Sequence, residues 1–347
     1  MEGLPAPSLV LGTDHPEAPP SMVLYVIRRL FNLIPTFIIA TFLAWGIIQA
    51  APGDFATQFS FDQVDPSKAQ RIRALLGLDH PWYLRYFYWL RNVVLHFDLG
   101  TSMTSKGSVT ALILPLMRNS MVLLLPATAL AFAIAIPIGV YSALHKYSLA
   151  DRVLTVFSLL GLAVPNFFLA LILLAFSVQW YHAYHWFLLP TGGMTSTGFS
   201  GFSSWHQIID VGWHLIGPVL VVTLSSLAFV SRVMRGEMLE VMSQDYIRTA
   251  KSKGLSERAV NVKHALRNAI LVIVAIIGST LPGLVSGAGS VEYVTGWPGI
   301  TPLFIKSIFA QDVYVVMALL TILTLLLMVG NLLSDLALAM IDPRIRY

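Results

Sequence analysis

The chain has 347 residues, of which 56% are hydrophobic, only 12% are charged and none is cysteine. Soluble domains carry about 25% charged residues, so this chain has too little charge for a water-facing surface, and we predict a polytopic membrane protein. The lack of cysteine excludes disulfides, thiolate metal sites and cysteine nucleophiles. The net charge of +4 is better explained by basic residues beside membrane spans than by nucleic-acid binding.

In chain order, the first 21 residues contain five prolines and no apolar h-region. This composition is not that of a signal peptide, and it predicts a disordered extension, 1–21, on the cytoplasmic side. The rest of the chain, 22–347, is predicted to form one transmembrane domain.

Six stretches without Asp, Glu, Lys or Arg are long enough to cross a bilayer, which takes about 20 apolar residues. They are 30–51, 121–143, 153–181, 211–231, 269–291 and 313–334. Because unpaired backbone groups are costly in lipid, these runs must be helices. The predicted fold is therefore an all-α membrane protein with six transmembrane helices.

The basic residues predict the orientation of the spans. Arg28 and Arg29 precede the first span and eight basic residues follow the fourth, whereas the loop 182–210 has none. Both termini and the segment 234–268 are therefore expected in the cytoplasm. The segment 52–118 is then external; it carries seven basic residues, but it exceeds the length over which the charge rule is reliable.

Within the external segment, residues 81–96 are dense in aromatic side chains, with two arginines among them. The aromatic residues are Trp82, Tyr83, Tyr86, Phe87, Tyr88 and Trp89, with Arg85 and Arg91 among them. Such a composition favours a helix at the membrane–water interface.

Motifs for common catalytic chemistries are absent from the sequence. It has no Gly-Lys dipeptide for a phosphate loop, no H-E-x-x-H and no G-x-S-x-G. His182 and His185 have a metal-ligand spacing, but the surrounding aromatic residues favour an interfacial belt. The predicted spans contain no Asp, Glu, Lys or Arg side chain, whereas proton- and ion-coupled carriers normally carry such charged groups within the membrane. Uphill transport would therefore take its energy from a partner.

The segment 234–268 is too polar to span the membrane and is patterned as two short helices. Ser243 can cap a helix that starts at Asp245, Gly254 can end it in a left-handed conformation, and Ser256 can cap a second helix. A rigid projection of this kind could enter a groove on another protein. An amphipathic hairpin on the anionic inner leaflet is an equally good interpretation from the residues alone.

The same segment resembles the cytoplasmic loop of permease subunits from bacterial ABC importers of the dipeptide, oligopeptide and nickel branch. The resemblance is carried by the run Asp245, Tyr246, Ile247, Arg248, Thr249, Ala250, Lys251, Ser252, Lys253, Gly254 and Leu255, followed by His264, Ala265, Leu266, Arg267, Asn268 and Ala269. Further motifs in family order are 52–54, 77–81, 98–100, 136–139, 297–299 and 342–347. Phe97, Val164, Val272 and Thr301 depart from the usual residues, which puts the local helix-end geometry in question.

The resemblance implies a type I ABC importer permease in the bacterial inner membrane. Its expected partners are a second, non-identical permease, two cytoplasmic ATPases, an external solute-binding protein and the bilayer, with no nucleic acid. No cofactor is expected on this chain, since ATP and Mg²⁺ would sit on the ATPases. The ATPase is expected to contact residues of the loop 245–258, namely Asp245, Tyr246, Ile247, Arg248, Thr249, Ala250, Lys253, Gly254 and Leu255.

Two polar residues, Asn166 and Glu292, are weak candidates for the translocation pathway. Peptides are the expected solute, with nickel chelates and oligosaccharides as alternatives. A passive channel or carrier and a membrane-embedded enzyme are the competing functional classes.

Overall fold

A computed structural model describes residues 22–52, 71, 74, 78–186 and 188–341. The predictions for 1–21, and the family motifs at 53–54, 77 and 342–347, lie outside these residues. The helices are α1 Met22–Ala50, α2 Trp82–His96, α3 Val109–Leu144, α4 Leu149–Ala163, α5 Asn166–Tyr184, α6 Ser204–Met242, α7 Asp245–Ser252, α8 Arg267–Thr295, α9 Ile300–Phe309 and α10 Val313–Ile341. A π-helical segment, Ala259–Leu266, leads directly into α8.

Six helices of the described chain are long and apolar enough to cross a membrane, which confirms the predicted number of spans. They correspond to α1, α3, α5, α6, the run from the π-helix into α8, and α10. The described residues contain no strand, only an isolated bridge between Thr101 and Ser108. The all-α prediction is therefore confirmed.

The third predicted span, 153–181, is wrong as one continuous helix, because the chain breaks into α4 and α5. Val164 is extended (φ −91°, ψ 119°) and Pro165 follows it. Proline disfavours helical backbone in the preceding residue and has no N–H to donate. Of the two parts, only α5 has the length of a span. Val164, which stands where the family commonly has Ser, is therefore the residue at which the helix breaks.

The centre of the fold is the close crossing of α3 and α6. At Gly139 a Cβ atom would lie 2.6 Å from Met234 Cβ and 2.8 Å from the Ser231 carbonyl oxygen. Only glycine allows two helices to approach so closely. α4 packs on α6 in the same way, since a Cβ at Gly161 would lie 2.9 Å from Ala228 Cβ.

At one end of the bundle, α2 packs across α1 and ends in a strained residue. Phe97, which stands where related sequences commonly have glycine, is the C-cap of α2 and is left-handed (φ 53°, ψ 29°). Its backbone N–H still reaches the Val93 carbonyl oxygen at 3.1 Å. A non-glycine residue in this conformation is strained.

The turn that follows α2 is fastened to the start of α10. Asp312 is buried and accepts hydrogen bonds from Ser102 Oγ (2.6 Å) and from the Thr104 backbone N–H (3.0 Å). These bonds hold the turn 101–108 against the bundle.

Candidate functional site

The candidate site is built around α7, the short helix between α6 and the π-helical segment. Gln244, not the predicted Ser243, is its N-cap residue. The Ser243 hydroxyl donates instead to the Glu240 carbonyl oxygen (2.7 Å) at the end of α6. The prediction of Ser243 as the cap is therefore wrong, because α6 continues to Met242 and takes Ser243 as its own C-cap residue.

The end of α7 has the predicted geometry. Gly254 follows the C-cap residue Lys253 and is left-handed, with φ +72°. Its N–H donates to the Lys251 carbonyl oxygen (3.0 Å), and the Leu255 N–H donates to the Ala250 carbonyl oxygen (3.4 Å). The second predicted cap is also present, since Ser256 Oγ accepts from the Ala259 N–H (3.3 Å).

One side of α7 is seated on the transmembrane bundle. Ile247 and Ala250, one helical turn apart, are buried in a hydrophobic cluster. Its other fully buried members come from α3, α6, the π-helix and α8, and they include Ala143, Val230, Met234, Met238, Val260, Ala265, Ala269 and Ile273. Burying an isoleucine side chain contributes about 1.5–3 kcal/mol, so α7 is held firmly at the meeting point of three long helices.

The other side of α7 is open to solvent. Among the residues predicted to contact an ATPase, the exposed ones are Asp245, Tyr246, Arg248, Thr249, Lys253, Gly254 and Leu255. Ile247 and Ala250 point into the bundle, so their side chains seat the helix. We call the seven exposed residues the α7 outer face.

A hydrogen bond joins the α7 outer face to α8. Asn268 Nδ2 donates to the Tyr246 hydroxyl (3.0 Å) and also to the His264 carbonyl oxygen (2.9 Å). Tyr246 is 43% exposed, so its ring is shared between solvent and the bundle. A displacement of α7 would therefore be felt directly at the base of α8.

An ion pair that the sequence did not reveal joins α6 to α4. Arg235 of α6 donates to both carboxylate oxygens of Asp151 in the first turn of α4. The hydrogen bonds from Arg235 hold the pKa of the Asp151 carboxyl well below its usual range, and those from Ser142 and the Tyr147 backbone lower it further. The pair connects α4 to α6, and Ser142 adds the end of α3.

Asn166, a pathway candidate, is the first residue of α5, directly after the helix break. Its side-chain oxygen accepts a hydrogen bond from Ser225 of α6. The structure therefore places this polar pair at the point where the third predicted span loses its helical backbone.

Glu292, the other pathway candidate, is only 1% exposed. One carboxylate oxygen accepts from Ser120 Oγ (2.5 Å) and the other from the Thr301 backbone N–H (3.0 Å). It thus joins α8 to α3 and to the start of α9. Thr301, where glycine is usual, fits because its neighbour on α8 is Gly289, at which a Cβ would lie 2.5 Å from Thr301 Oγ1.

No group of three or more His, Cys, Asp or Glu side chains that could hold a metal ion occurs among the described residues. His182 and His185 lie at the end of α5, where His185 is the left-handed C-cap residue.

Comparison of the sequence with known proteins identifies its family. The sequence profile described as binding-protein-dependent transport system inner membrane component matches residues 135–347, and the profile of its N-terminal region matches 22–134.

Several curated relatives are similar to the chain over almost their whole length. The oligopeptide transport system permease protein AppB of Bacillus subtilis is 39% identical over 330 residues, which cover 94% of this chain and 100% of the relative. A putative peptide permease of Brucella ovis is 36% identical over 329 residues, with 94% and 99% covered. The dipeptide transport system permease protein DppB of Escherichia coli is 33% identical over 343 residues, with 94% and 99% covered. The chain therefore belongs to the family of inner membrane components of binding-protein-dependent transport systems, as a multi-pass permease subunit of the bacterial inner membrane and not an enzyme.

Proposed function

We propose that the chain is the permease subunit of an ATP-driven importer of peptides and that the α7 outer face docks on a cytoplasmic ATPase. The peptide specificity is supported by the relatives, which are named as oligopeptide, dipeptide and putative peptide permeases. The proposed assembly contains a second, non-identical permease, two ATPases that bind ATP and Mg²⁺, and an external solute-binding protein. Both termini and α7 then lie in the cytoplasm.

The observation that carries this proposal is the two-sided character of α7. Its inner side, Ile247 and Ala250, is packed on a cluster fed by α3, α6 and α8, while its outer face is polar and exposed. A partner that pushes on such a helix moves three spans together. Because transport coupling needs a two-state element biased by a ligand elsewhere, ATP-dependent closure of the ATPases could switch the access of the pathway.

The pathway itself is proposed to pass the α4–α5 break, with Asn166 as its polar contact. Unwound backbone at membrane depth occurs where it is buried in protein or lines a water-filled cavity. In this conformation both carboxylate oxygens of Glu292 accept hydrogen bonds, one from Ser120 and one from Thr301. A pathway role for Glu292 therefore stays a prediction that requires those hydrogen bonds to open.

Cross-linking tests the docking of α7. The chain has no cysteine, so Thr249→Cys introduces a unique thiol on the outer face, and Lys146→Cys introduces a matched exposed thiol between α3 and α4. With a short bifunctional reagent in native membranes, Thr249→Cys should join the chain to an ATPase subunit, and Lys146→Cys should do so much less. Equal cross-linking of the two variants to the ATPase, or a Thr249→Cys product with lipid only, would refute the docking site.

Purification in mild detergent tests the assembly. An ATPase subunit and a second permease should co-purify with the chain, and reconstituted vesicles should take up peptides only with ATP and the binding protein. Uptake by the isolated chain would instead indicate a channel or carrier.

A further inference from the structure

Helix α2 lies across α1, and the α1 residues that it contacts show how far α2 extends along that span. Trp45 Nε1 donates to the Trp82 carbonyl oxygen (2.9 Å), and the Tyr86 hydroxyl lies 2.9 Å from Thr41 Oγ1 and 3.1 Å from the Ile38 carbonyl oxygen. At 1.5 Å per residue, Ile38 is about 18 Å from Ala50, the last residue of α1. The α2 helix is therefore not stacked on the end of α1 but lies beside its final turns.

The length of α1 shows that this contact lies within the membrane. The candidate span of α1, Ile27–Ala50, has 24 residues, including Arg28 and Arg29 at its start, and is about 36 Å long, against a hydrocarbon core of about 30 Å. Even if the whole excess of about 6 Å projected beyond the bilayer at the Ala50 end, Ile38 would lie about 12 Å below the boundary. Tyr86 must reach that depth.

Two contacts with α1 show which face of α2 points deeper. Arg85 donates a hydrogen bond to Gln49, next to the end of α1. Phe87 instead lies near Phe42, about two turns deeper, with ring centroids 6.4 Å apart. Since successive residues of a helix differ by about 100°, Arg85 and Phe87 project from nearly opposite sides of α2.

The two faces differ in chemistry along the helix, except that Arg91 lies about 40° from Phe87, on the deeper side. Tyr83 and Val94 share the deeper face with Phe87, and the three are 46%, 59% and 54% exposed. Asn92 shares the shallow face with Arg85, and both border a cavity of about 330 Å³ that is also lined by His80 and Asp98. The apolar face thus points into the membrane and the polar face points out of it.

We propose that α2 is an in-plane membrane helix whose face of Tyr83, Phe87 and Val94 is covered by phospholipid acyl chains. The leaflet is the outer one, which rests on the orientation proposed above. The occupant is lipid because this face is continuous with the exposed apolar side of α1, which includes Ile39 and Leu43. Arg85 is then placed for lipid phosphates, and Arg91 reaches the interface by snorkelling, with its guanidinium 6.0 Å from the centre of the Tyr88 ring, as in amphipathic helices that lie in the interface.

Spin labelling of the assembled transporter tests the proposal, because each introduced cysteine is the only one on this chain. Phe87→Cys and Val94→Cys probe the deeper face, and Asn92→Cys is the matched variant on the opposite face of the same helix. Each variant is purified with its partner subunits, labelled with a nitroxide and reconstituted in phosphatidylcholine–phosphatidylglycerol vesicles. ATP-dependent peptide uptake verifies that each labelled complex is native.

Collision rates with oxygen, which concentrates in acyl chains, and with a water-soluble nickel chelate decide the result. At positions 87 and 94 we expect the oxygen-to-nickel ratio to be several-fold higher than at position 92. A label at 87 that collides with the nickel chelate as often as the label at 92 would overturn the proposal, since that face would then be in water. Labels at 87 and 94 that are shielded from both reagents would also overturn it, since protein, such as residues 53–77 or a partner subunit, would then cover the face.

Discussion

The guanidinium of Arg235 faces the carboxylate of Asp151 with two parallel hydrogen bonds, Nε to Oδ1 at 2.8 Å and the terminal nitrogen Nη2 to Oδ2 at 2.9 Å. The Asp151 side chain is 4% exposed and that of Arg235 is 27% exposed. Ser142 Oγ and the Tyr147 backbone N–H supply further donors to the same carboxylate. The ends of three helices therefore meet at one charge.

Removing the carboxylate is expected to loosen this junction. Asp151→Ala leaves Arg235 without its buried partner, and breaking such a pair costs about 3–5 kcal/mol. We expect a melting temperature in detergent that is lower by several degrees, together with reduced peptide uptake. Arg232→Ala, which removes an exposed arginine one turn away on α6, is the control. Equal loss in the two variants would show that the pair has no special role.

The same pair predicts how stability depends on pH. The pKa of Asp151 is lower in the folded protein than its usual value, so the folded state favours the ionised form. This contribution is fully present above the unfolded pKa of about 4 and is lost as the pH falls below it. The contribution of this pair to the melting temperature should be constant between pH 8 and 5 and should decline below about pH 4. In Asp151→Asn that part of the decline should be absent; an unchanged pH profile in the variant would contradict the assignment.

Gly254 separates a backbone effect from a charge effect at the α7 outer face. Its φ of +72° favours glycine, but Asn and Asp tolerate this region better than other residues. Gly254→Asp also adds a negative charge at the proposed docking surface. Gly254→Asn introduces a side chain of nearly the same size as Asp, but without the charge. We expect membrane insertion in both variants, and ATP-coupled uptake to be lost in Gly254→Asp and largely kept in Gly254→Asn. Normal uptake by well-expressed Gly254→Asp would contradict the docking proposal.

The crossing of α3 and α6 predicts opposite effects for two glycines. Gly139→Ala places a Cβ 2.8 Å from the Ser231 carbonyl oxygen, and because backbone cannot move aside easily, we expect a loss of about 1–3 kcal/mol. Gly236→Ala on α6 has no atom within 4 Å of the added Cβ. It should be neutral or stabilising by up to about 1 kcal/mol, since alanine favours helix. Thermal unfolding in detergent compares the two variants.

Phe97 offers a stabilising substitution. Its left-handed backbone costs a non-glycine residue roughly 1–2 kcal/mol, and its side chain is 84% exposed, so little packing is lost on its removal. Phe97→Gly should raise the melting temperature in detergent by a few degrees, and Phe97→Ala should not. A lower melting temperature for Phe97→Gly would show that the ring makes contacts that outweigh the strain.

Hydropathy was sufficient to predict the six spans because their apolar runs are long and free of charge. The break at Val164 escaped the same reasoning, since the run 153–181 continues across it without a charged residue. Pro165 was the available signal: a proline in the middle of a predicted helix disfavours helical backbone in the residue before it.

For the candidate site, sequence and structure agree where the interactions are local. Gly254 and Ser256 act within a few residues of the chain, and both have the predicted geometry. The Asp151–Arg235 pair joins residues 84 positions apart, and no local pattern could reveal which arginine would meet that carboxylate. The inward side of α7 was likewise hidden, because two buried residues in an eight-residue helix are too few to define a periodicity.

The Val164–Pro165 break divides two bodies with different attachments. On one side, α4 is tied to α6 by Asp151, by the Ser158–Ser231 hydroxyl contact at 3.1 Å and by the close fit at Gly161. On the other side, α5 packs mainly against α8 and to a lesser extent against α6, to which Asn166 is hydrogen-bonded. Rotation about the φ and ψ angles of these two residues would swing α5 as a lever while the hydrogen bonds within both helices stay intact. The backbone of Val164 and Pro165 can therefore serve as a hinge within the third predicted span.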